Sequence, residues 1–394
     1  MLKPAKQNLI IALLILCTVT ASVLMFALLI AKPTPMIGIQ GLDEQQSTAL
    51  IEYVSSESEG FGTQVEVLLQ QDSQPRRSAD IIFQPKNHSL ISNPQDYVRL
   101  ESEALGAIPR SISQTGVIGD RQIALPIALD HVELAFRRDL FASNGLPVQE
   151  RVLQLADLEA VLNRLAEPRF YPLAVAGGND EALLDLISVL VLSLGGVERY
   201  QTLVQLMESP TLPEDLLTID LGNGWILNNT LQLLEQWEDQ GILHPEWAAF
   251  SSSDVLEFAQ RQLTAAVIMR LSTHRTWPVQ VLRRWQSSPF PFADPAKAGT
   301  GLIVPTLVAA VPKNAARADE AAGIIPGFVG KGFQDSAVQS WRLAPVHSTA
   351  QALDRESGDL RFWAAASREL LPPLSHALSP EGAAELVAQL RVAL

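Results

Sequence analysis

Cysteine is almost absent from this chain: Cys17 is the only one in 394 residues. No disulfide can close within the chain and no cysteine-rich zinc site can assemble. The histidines at positions 88, 131, 244, 274, 347 and 376 form no pair at helical spacing and no HExxH motif. A GxSxG elbow and a glycine-rich phosphate loop are also missing. Asp130 and His131 stand side by side, but neighbouring residues of a strand point to opposite faces, so they do not work as an acid/base pair. The catalogue of catalytic signals is therefore empty, and the expectation is binding without turnover: no enzyme, no cofactor and no metal. Positive charge is scarce as well. Lys and Arg number 29 against 43 Asp and Glu, a formal net charge of −14, which disfavours binding to the phosphate backbone of nucleic acid, since that needs clustered Lys and Arg. With 18% charged and 47% hydrophobic residues, the chain is too apolar for a disordered one.

The chain does have a long run without charge. Residues 9–31 contain no Asp, Glu, Lys or Arg, and at about 1.5 Å per helical residue they reach roughly 34 Å, enough to cross a bilayer. Lys3 and Lys6 precede the run, so residues 1–8 are expected on the cytoplasmic side. A cleavable signal peptide is the rival reading, with Val19 and Ala21 as a small-residue cleavage site. Cleavage there leaves ten apolar residues, 22–31, exposed. Leu16 before Cys17 also disfavours lipid attachment. An uncleaved signal anchor is the preferred reading, with residues 32–35 as a proline-stiffened linker and the main body in the periplasm or outside the cell. A lone cysteine placed inside the membrane agrees with that compartment.

Beyond the linker, strands and helices alternate. Residues 36–39 read as a strand, Asp43 as the cap of a helix in which Leu50, Ile51 and Val54 share a face, and 65–69 as a second strand. That is a βαβ unit. A third buried strand covers 79–83. Helices are expected over 152–165, 181–194 and 227–240, the last two ending at Gly195-Gly196 and Gly241. Residues 171–176 and 302–311 read as strands. The C-terminal helix begins with Ser379 as cap and Pro380 at its first position.

The most informative stretch is 123–146, IALPIALDHVELAFRRDLFASNGL. Its first part is an apolar strand entered through Pro126, Asp130 interrupts it, and Phe136, Leu140 and Phe141 recur at helical spacing before Asn144-Gly145 ends the helix. Pro126, Ala128, Asp130, Asp139, Leu140, Phe141, Gly145 and Leu146 together resemble the extracellular solute-binding proteins that feed ABC importers, in the sugar-binding class that includes maltodextrin-binding proteins. Arg137-Arg138 stands where those proteins usually carry Tyr-Asn. The likeness extends in order and spacing over about 36–394, with looser matches at 258–269, where Arg261 replaces a glycine, and at Pro326-Gly327, which breaks a helix that the family continues. It implies an α/β, two-lobe periplasmic-binding-protein fold of type II, with a hinge near Ala128 to Asp130. The expected first lobe is 36–129 with 302–343, and the second is 130–301 with 344–394.

In open parallel sheets, ligands bind beyond the carboxyl ends of the strands. That rule selects Asp43 and Gln84 in the first lobe, Asp130 at the crossing, and Asn179 with Asp180 in the second. Asp43 and Asn179 also suit simple helix caps, and Gln84 a solvated turn. The family resemblance implies a sugar or related polyol as ligand and ABC importer permease subunits as partners. Sugar rings stack on flat apolar surfaces, which adds Trp277 and Trp363, the latter in a Phe-Trp pair that the family shares; core packing is the ordinary alternative for both. With 6% aromatics, a small pocket is expected rather than a long groove. Two other readings stay open: a membrane-anchored sensor or assembly module that kept the fold without transport, and a hydrolase using Asp130 and Asp180.

Overall fold

The computed structural model describes residues 36–39, 44–56, 66–69, 79–101, 103–145, 154–209, 216–338 and 340–394. The expected membrane span 9–31, the linker and Asp43 lie outside these residues. Among the described residues no helix is long and apolar enough to cross a membrane.

The strands that position the site are β1 (Met36–Ile39), β2 (Glu66–Leu69), β3 (Ile81–Pro85), β4 (Ala124–Leu129), β5 (Val132–Arg137), β6 (Leu173–Val175), β7 (Ala266–Arg270), β8 (Trp285–Pro289), β9 (Gly301–Ile303), β10 (Thr306–Ala310), β11 (Ala344–Pro345) and β12 (Glu369–Leu371). They form a six-stranded sheet in the order β11-β4-β10-β3-β1-β2 and a four-stranded sheet in the order β8-β5-β7-β6, while β9 and β12 pair with each other. β1 runs parallel to β2 and β3, β10 runs antiparallel to both β3 and β4, and β7 is parallel to β6 but antiparallel to β5.

Each sheet owns a core. Ile37, Leu50, Val54, Phe83, Ile127 and Phe328 belong to the cluster on the six-stranded sheet, whereas Leu134, Val175, Leu186, Leu234 and Ile268 belong to the cluster on the four-stranded one. Each fully buried large apolar side chain contributes about 1.5–3 kcal/mol, so each cluster holds its own sheet and helices together. The chain changes sheets between Leu129 and Val132 and again between Ile303 and Thr306, and passes from one core to the other a third time at Leu370-Leu371, within β12. Ala344, Val346, Leu360, Trp363, Ala364 and Leu370 pack with the six-stranded sheet; Leu371, Leu374, Leu386 and Leu390 pack with the other.

Several expectations acquire a physical reason here. Met36–Ile39 is a strand and Glu44–Ser56 a helix with Leu50 and Val54 buried. Gly196 and Gly241, at φ +83° and +70°, end their helices in the left-handed region where glycine carries no penalty. In the C-terminal helix Pro380–Ala393, the Ser379 side chain accepts from Gly382 N at 3.0 Å.

Three expectations are corrected. Phe136 is not helical: it lies in strand β5 and stacks on Phe141 of the helix Arg138–Ser143, ring centroids 4.6 Å apart. The single return strand expected over 302–311 is two, β9 and β10, because Pro305 has no N–H to continue a ladder. The helix Ala318–Val329 runs straight through Pro326. Pro326 and Gly327 lie on its exposed face, so the proline removes one solvent-side hydrogen bond, a cost of about 3 kcal/mol. Ile325 and Phe328, both fully buried, outweigh it at about 1.5–3 kcal/mol each. At the expected glycine position Arg261 closes the helix Ser252–Gln260, and Gln262 takes the left-handed turn at φ +59°.

Candidate functional site

Strand direction decides where the site lies. The carboxyl ends of β3 and β4 and the amino end of β10 meet at one edge of the six-stranded sheet. The carboxyl ends of β6 and β7 and the amino end of β5 meet at one edge of the four-stranded sheet. The short link Asp130-His131 joins these two edges, so both turn toward the crossings, which is where ligands sit in open α/β sheets.

On the four-stranded side there is a cavity of about 140 Å³ lined by Asn179, Glu181, Asp185, Ser252, Arg270 and Thr273 among others. Its floor is the loop 176–179 after β6. Gly177 and Gly178 are required there: a Cβ on the first would stand 2.6 Å from the Trp247 ring, and one on the second 2.5 Å from the Ala249 carbonyl oxygen. Asn179 then caps the helix Asp180–Gly195, its Oδ1 accepting from Ala182 N at 2.9 Å. Asn179→Ala is expected to cost about 1 kcal/mol in chemical denaturation, with ligand affinity unchanged if capping is its whole role.

Arg270, at the end of β7, holds the polar wall together. Its Nε donates to Asp185 Oδ2 at 2.6 Å and its Nη2 to Asp185 Oδ1 at 3.1 Å, a bidentate fork. Nη1 lies 2.7 Å from Glu181 Oε1, and Nη2 also donates to Ser375 Oγ at 3.0 Å. The His376 ring and the Arg270 guanidinium hold the Glu181 carboxyl down at about 2. The wall is thus acidic but internally paired. Ser375 and His376 reach it from the segment after the third crossing, which Tyr200 Oη fastens by donating to Pro372 O at 2.6 Å and Ser188 Oγ by accepting from Leu374 N at 2.8 Å.

The residues selected from sequence are placed as follows. Asp130 is at the crossing, buried, and its carboxylate accepts from His131 N at 2.8 Å, Ser272 N at 3.0 Å and Ser272 Oγ at 2.5 Å. Burial pushes its pKa up, against the field of Arg270 and the bonds from Ser272 and His131. Its geometry is that of a brace between the crossing and the turn Leu271–His274. Gln84 lies inside β3 rather than beyond it, buried, with Nε2 donating to Tyr97 Oη at 3.4 Å. Asp180 is exposed and accepts from Arg391 Nη2 at 3.0 Å. Trp277 is buried and meets Trp285 edge-on at 5.4 Å, and Trp363 is buried against His131 with ring centroids 5.8 Å apart. Only Asn179, of the residues chosen from sequence, lines the cavity. Asp43 lies outside the described residues.

With this geometry in hand, comparison with solved structures is decisive for the architecture. The bacterial solute receptor AcbH, described as preferring β-D-galactopyranose exclusively, superposes with a TM-score of 0.74 at 11% identity, covering 90% of this chain and 91% of its own. A chitin oligosaccharide binding protein gives 0.68 at 13% identity, covering 92% and 94%. A cyclic α-maltosyl-1,6-maltose binding protein from Arthrobacter globiformis gives 0.60 at 14% identity, covering 92% and 95%. The fold is that of a solute receptor. No family model and no curated protein sequence matches the chain.

In this solute-receptor fold the two bodies also touch directly. His88, in the short helix after β3, has Nδ1 3.2 Å from Glu208 Oε1 of the other body. Arg275 donates from Nη2 to Asp354 Oδ1 and from Nη1 to Ser357 Oγ, both at 2.5 Å. Sequence reasoning missed Glu181, Asp185, Arg270, Ser375 and His376. Glu181 and Asp185, four apart and immediately after the Asn179 cap, were the available signal; their partner Arg270 is 85 residues away from Asp185.

Proposed function

We propose that this protein captures a small solute, a sugar or related polyol, in the gap between its two bodies and presents it to the permease subunits of an ABC importer. The observation that supports this best is the meeting of both sheets' ligand-binding edges at the crossings, with a polar cavity on one side, in a chain that superposes over nine-tenths of its length on a sugar receptor. The role is binding, not catalysis. Residues 9–31 serve as the anchor that keeps the receptor at the outer face of the membrane. We assign 36–129, 302–343 and also 344–370 to the first lobe, since Leu360 and Trp363 share its core, and 130–301 with 371–394 to the second.

Closure on a ligand requires a higher affinity for the closed than for the open arrangement. A ligand at a hundred times its Kd stabilises by about 2.7 kcal/mol, so a thermal-shift panel of sugars, amino acids and polyamines is expected to show a clear rise with a sugar. A cavity of about 140 Å³ is small beside the roughly 300–1,000 Å³ of most ligand pockets, and both candidate tryptophans are buried. These two facts favour, as the second reading, a sensor or assembly module without transport; absence of stabilisation by any compound in the panel would select it.

A further inference from the structure

We propose that the turn Arg270–Arg275 sets the angle between the two bodies, with Arg275 as the positioning residue that clamps one body to the other and couples the clamp to the cavity wall.

Neighbouring residues of this turn are bonded to different parts of the molecule. Arg270 and Thr273 line the cavity, and the Arg270 fork holds Asp185. Ser272 N and Oγ donate to the Asp130 carboxylate at the first crossing. His274 Nδ1 lies 2.6 Å from Oε1 of Glu133 in β5. Arg275 then reaches out of its own body: Nη2 donates to Asp354 Oδ1 and Nη1 to Ser357 Oγ, both at 2.5 Å, with Glu356 Oε2 3.9 Å away. Those acceptors begin the helix Arg355–Ala366, whose Leu360, Trp363 and Ala364 belong to the core of the six-stranded sheet. One short turn therefore touches the cavity, the crossing and the opposite body.

The Arg275 side chain is only 7% exposed. A guanidinium so far removed from water is stable while its acceptors stay in place, so an inter-body angle that breaks these bonds leaves a shielded charge unpaired. Angles that keep them are favoured. Asp354 Oδ1 is also the helix cap, accepting from Ser357 N and Ser357 Oγ, each at 2.9 Å. The far side of the clamp is thus a helix end, which moves with its core. On the near side, the bonds of Arg270, Ser272 and His274 hold the backbone that carries Arg275. A displacement of the Arg270–Thr273 wall shifts the base of the clamp, and one element bonded to both places is what coupling requires.

The test uses the full chain without added sugar. Cys17 is the only cysteine, so a Cys17→Ser background accepts spin labels at two exposed positions, Asn314→Cys in the first body and Gln236→Cys in the second. The distance distribution between the labels reads the angle. Two variants cut the clamp: Arg275→Met, and Asp354→Asn, which keeps a capping oxygen for Ser357 N and so spares the helix. Each is expected to raise the ratio of a displaced population to the original one by at least about tenfold, and R275M/D354N is expected to add nothing further, because both changes cut the same bond. Arg270→Lys, which loses the bidentate fork, is expected to displace the distribution in the wild-type background and not in R275M. Unchanged distances in R275M and D354N, whatever happens to the melting temperature, would overturn the proposal. Displacement in R275M alone would assign the effect to packing of the arginine stem and overturn it as well, and equal shifts from R270K in both backgrounds would show the wall acting without Arg275. Since no sugar is present, any of these failures leaves the receptor reading standing.

Discussion

Arg270→Met is expected to destabilise the protein by about 3–5 kcal/mol, seen as a large fall in the urea midpoint. Asp185 is 4% exposed, and without the guanidinium only Ser375 Oγ, at 2.8 Å, remains among the described residues to bond its carboxylate. The charge cannot move to water. The variant also removes the Arg270 Nη2–Ser375 Oγ bond, one of the ties that hold the segment 374–377 just past the third crossing. Adding Asp185→Leu to R270M is expected to recover most of the loss, since a buried pair replaced by apolar groups of similar volume is often neutral. If R270M alone leaves the midpoint in place, the fork is not holding the wall.

This cluster shows why the fold was easier to read than the site. Strands and helices leave local traces: β4 is six consecutive buried residues, and the glycines at 145, 196 and 241 lie within two residues of the helix ends at Ser143, Gly195 and Asp239. The site instead comes from contacts between residues such as Asp185 and Arg270 or Asp130 and Ser272, separated by 85 and 142 positions. Local sequence says nothing about which of many carboxylates such an arginine will meet.

The misreading of β5 has a similar cause. Glu133 and Arg137 carry charge, and with Phe136, Leu140 and Phe141 at helical spacing they resemble the polar side of a surface helix. All six residues of β5 are buried. Glu133 is tolerated because His274 Nδ1 lies 2.6 Å from its Oε1, and Arg137 because its Nη2 donates to Asp139 Oδ2 at 2.6 Å. Periodicity assumes that charge faces water, and here the pairing partners lie in part beyond the window. The tryptophans mislead in the opposite way: an aromatic in the right sequence context for stacking on sugar is equally an aromatic fit for a core, and burial decides for the core.

Acidification is expected to weaken the fold at the first crossing well before the carboxylates titrate. His131 is 1% exposed and burial brings its pKa down to about 4, although Glu133 raises it in part. Among the described residues neither ring nitrogen has a hydrogen-bond partner. The unfolded chain takes up this proton near the ordinary value of 6.5, so between about pH 6.5 and 4 the unfolded state binds more protons and stability falls as pH falls. From pH 7 to 5 the loss is about 2 kcal/mol from this ring alone. Glu133 acts in a lower window: burial opposes its charge, but His274 holds its pKa below the usual carboxylate value, so its contribution is present above the unfolded carboxylate value and lost as pH drops through the folded one. His131→Phe keeps a ring against Trp363 and removes the proton. Urea unfolding at pH 7 and pH 5 is therefore expected to show a gap for the variant smaller by about 2 kcal/mol than for the wild type. A wild-type stability that is flat over this range, or an equal slope in H131F, would mean that the ring is not kept neutral at the point where the chain passes from one sheet to the other.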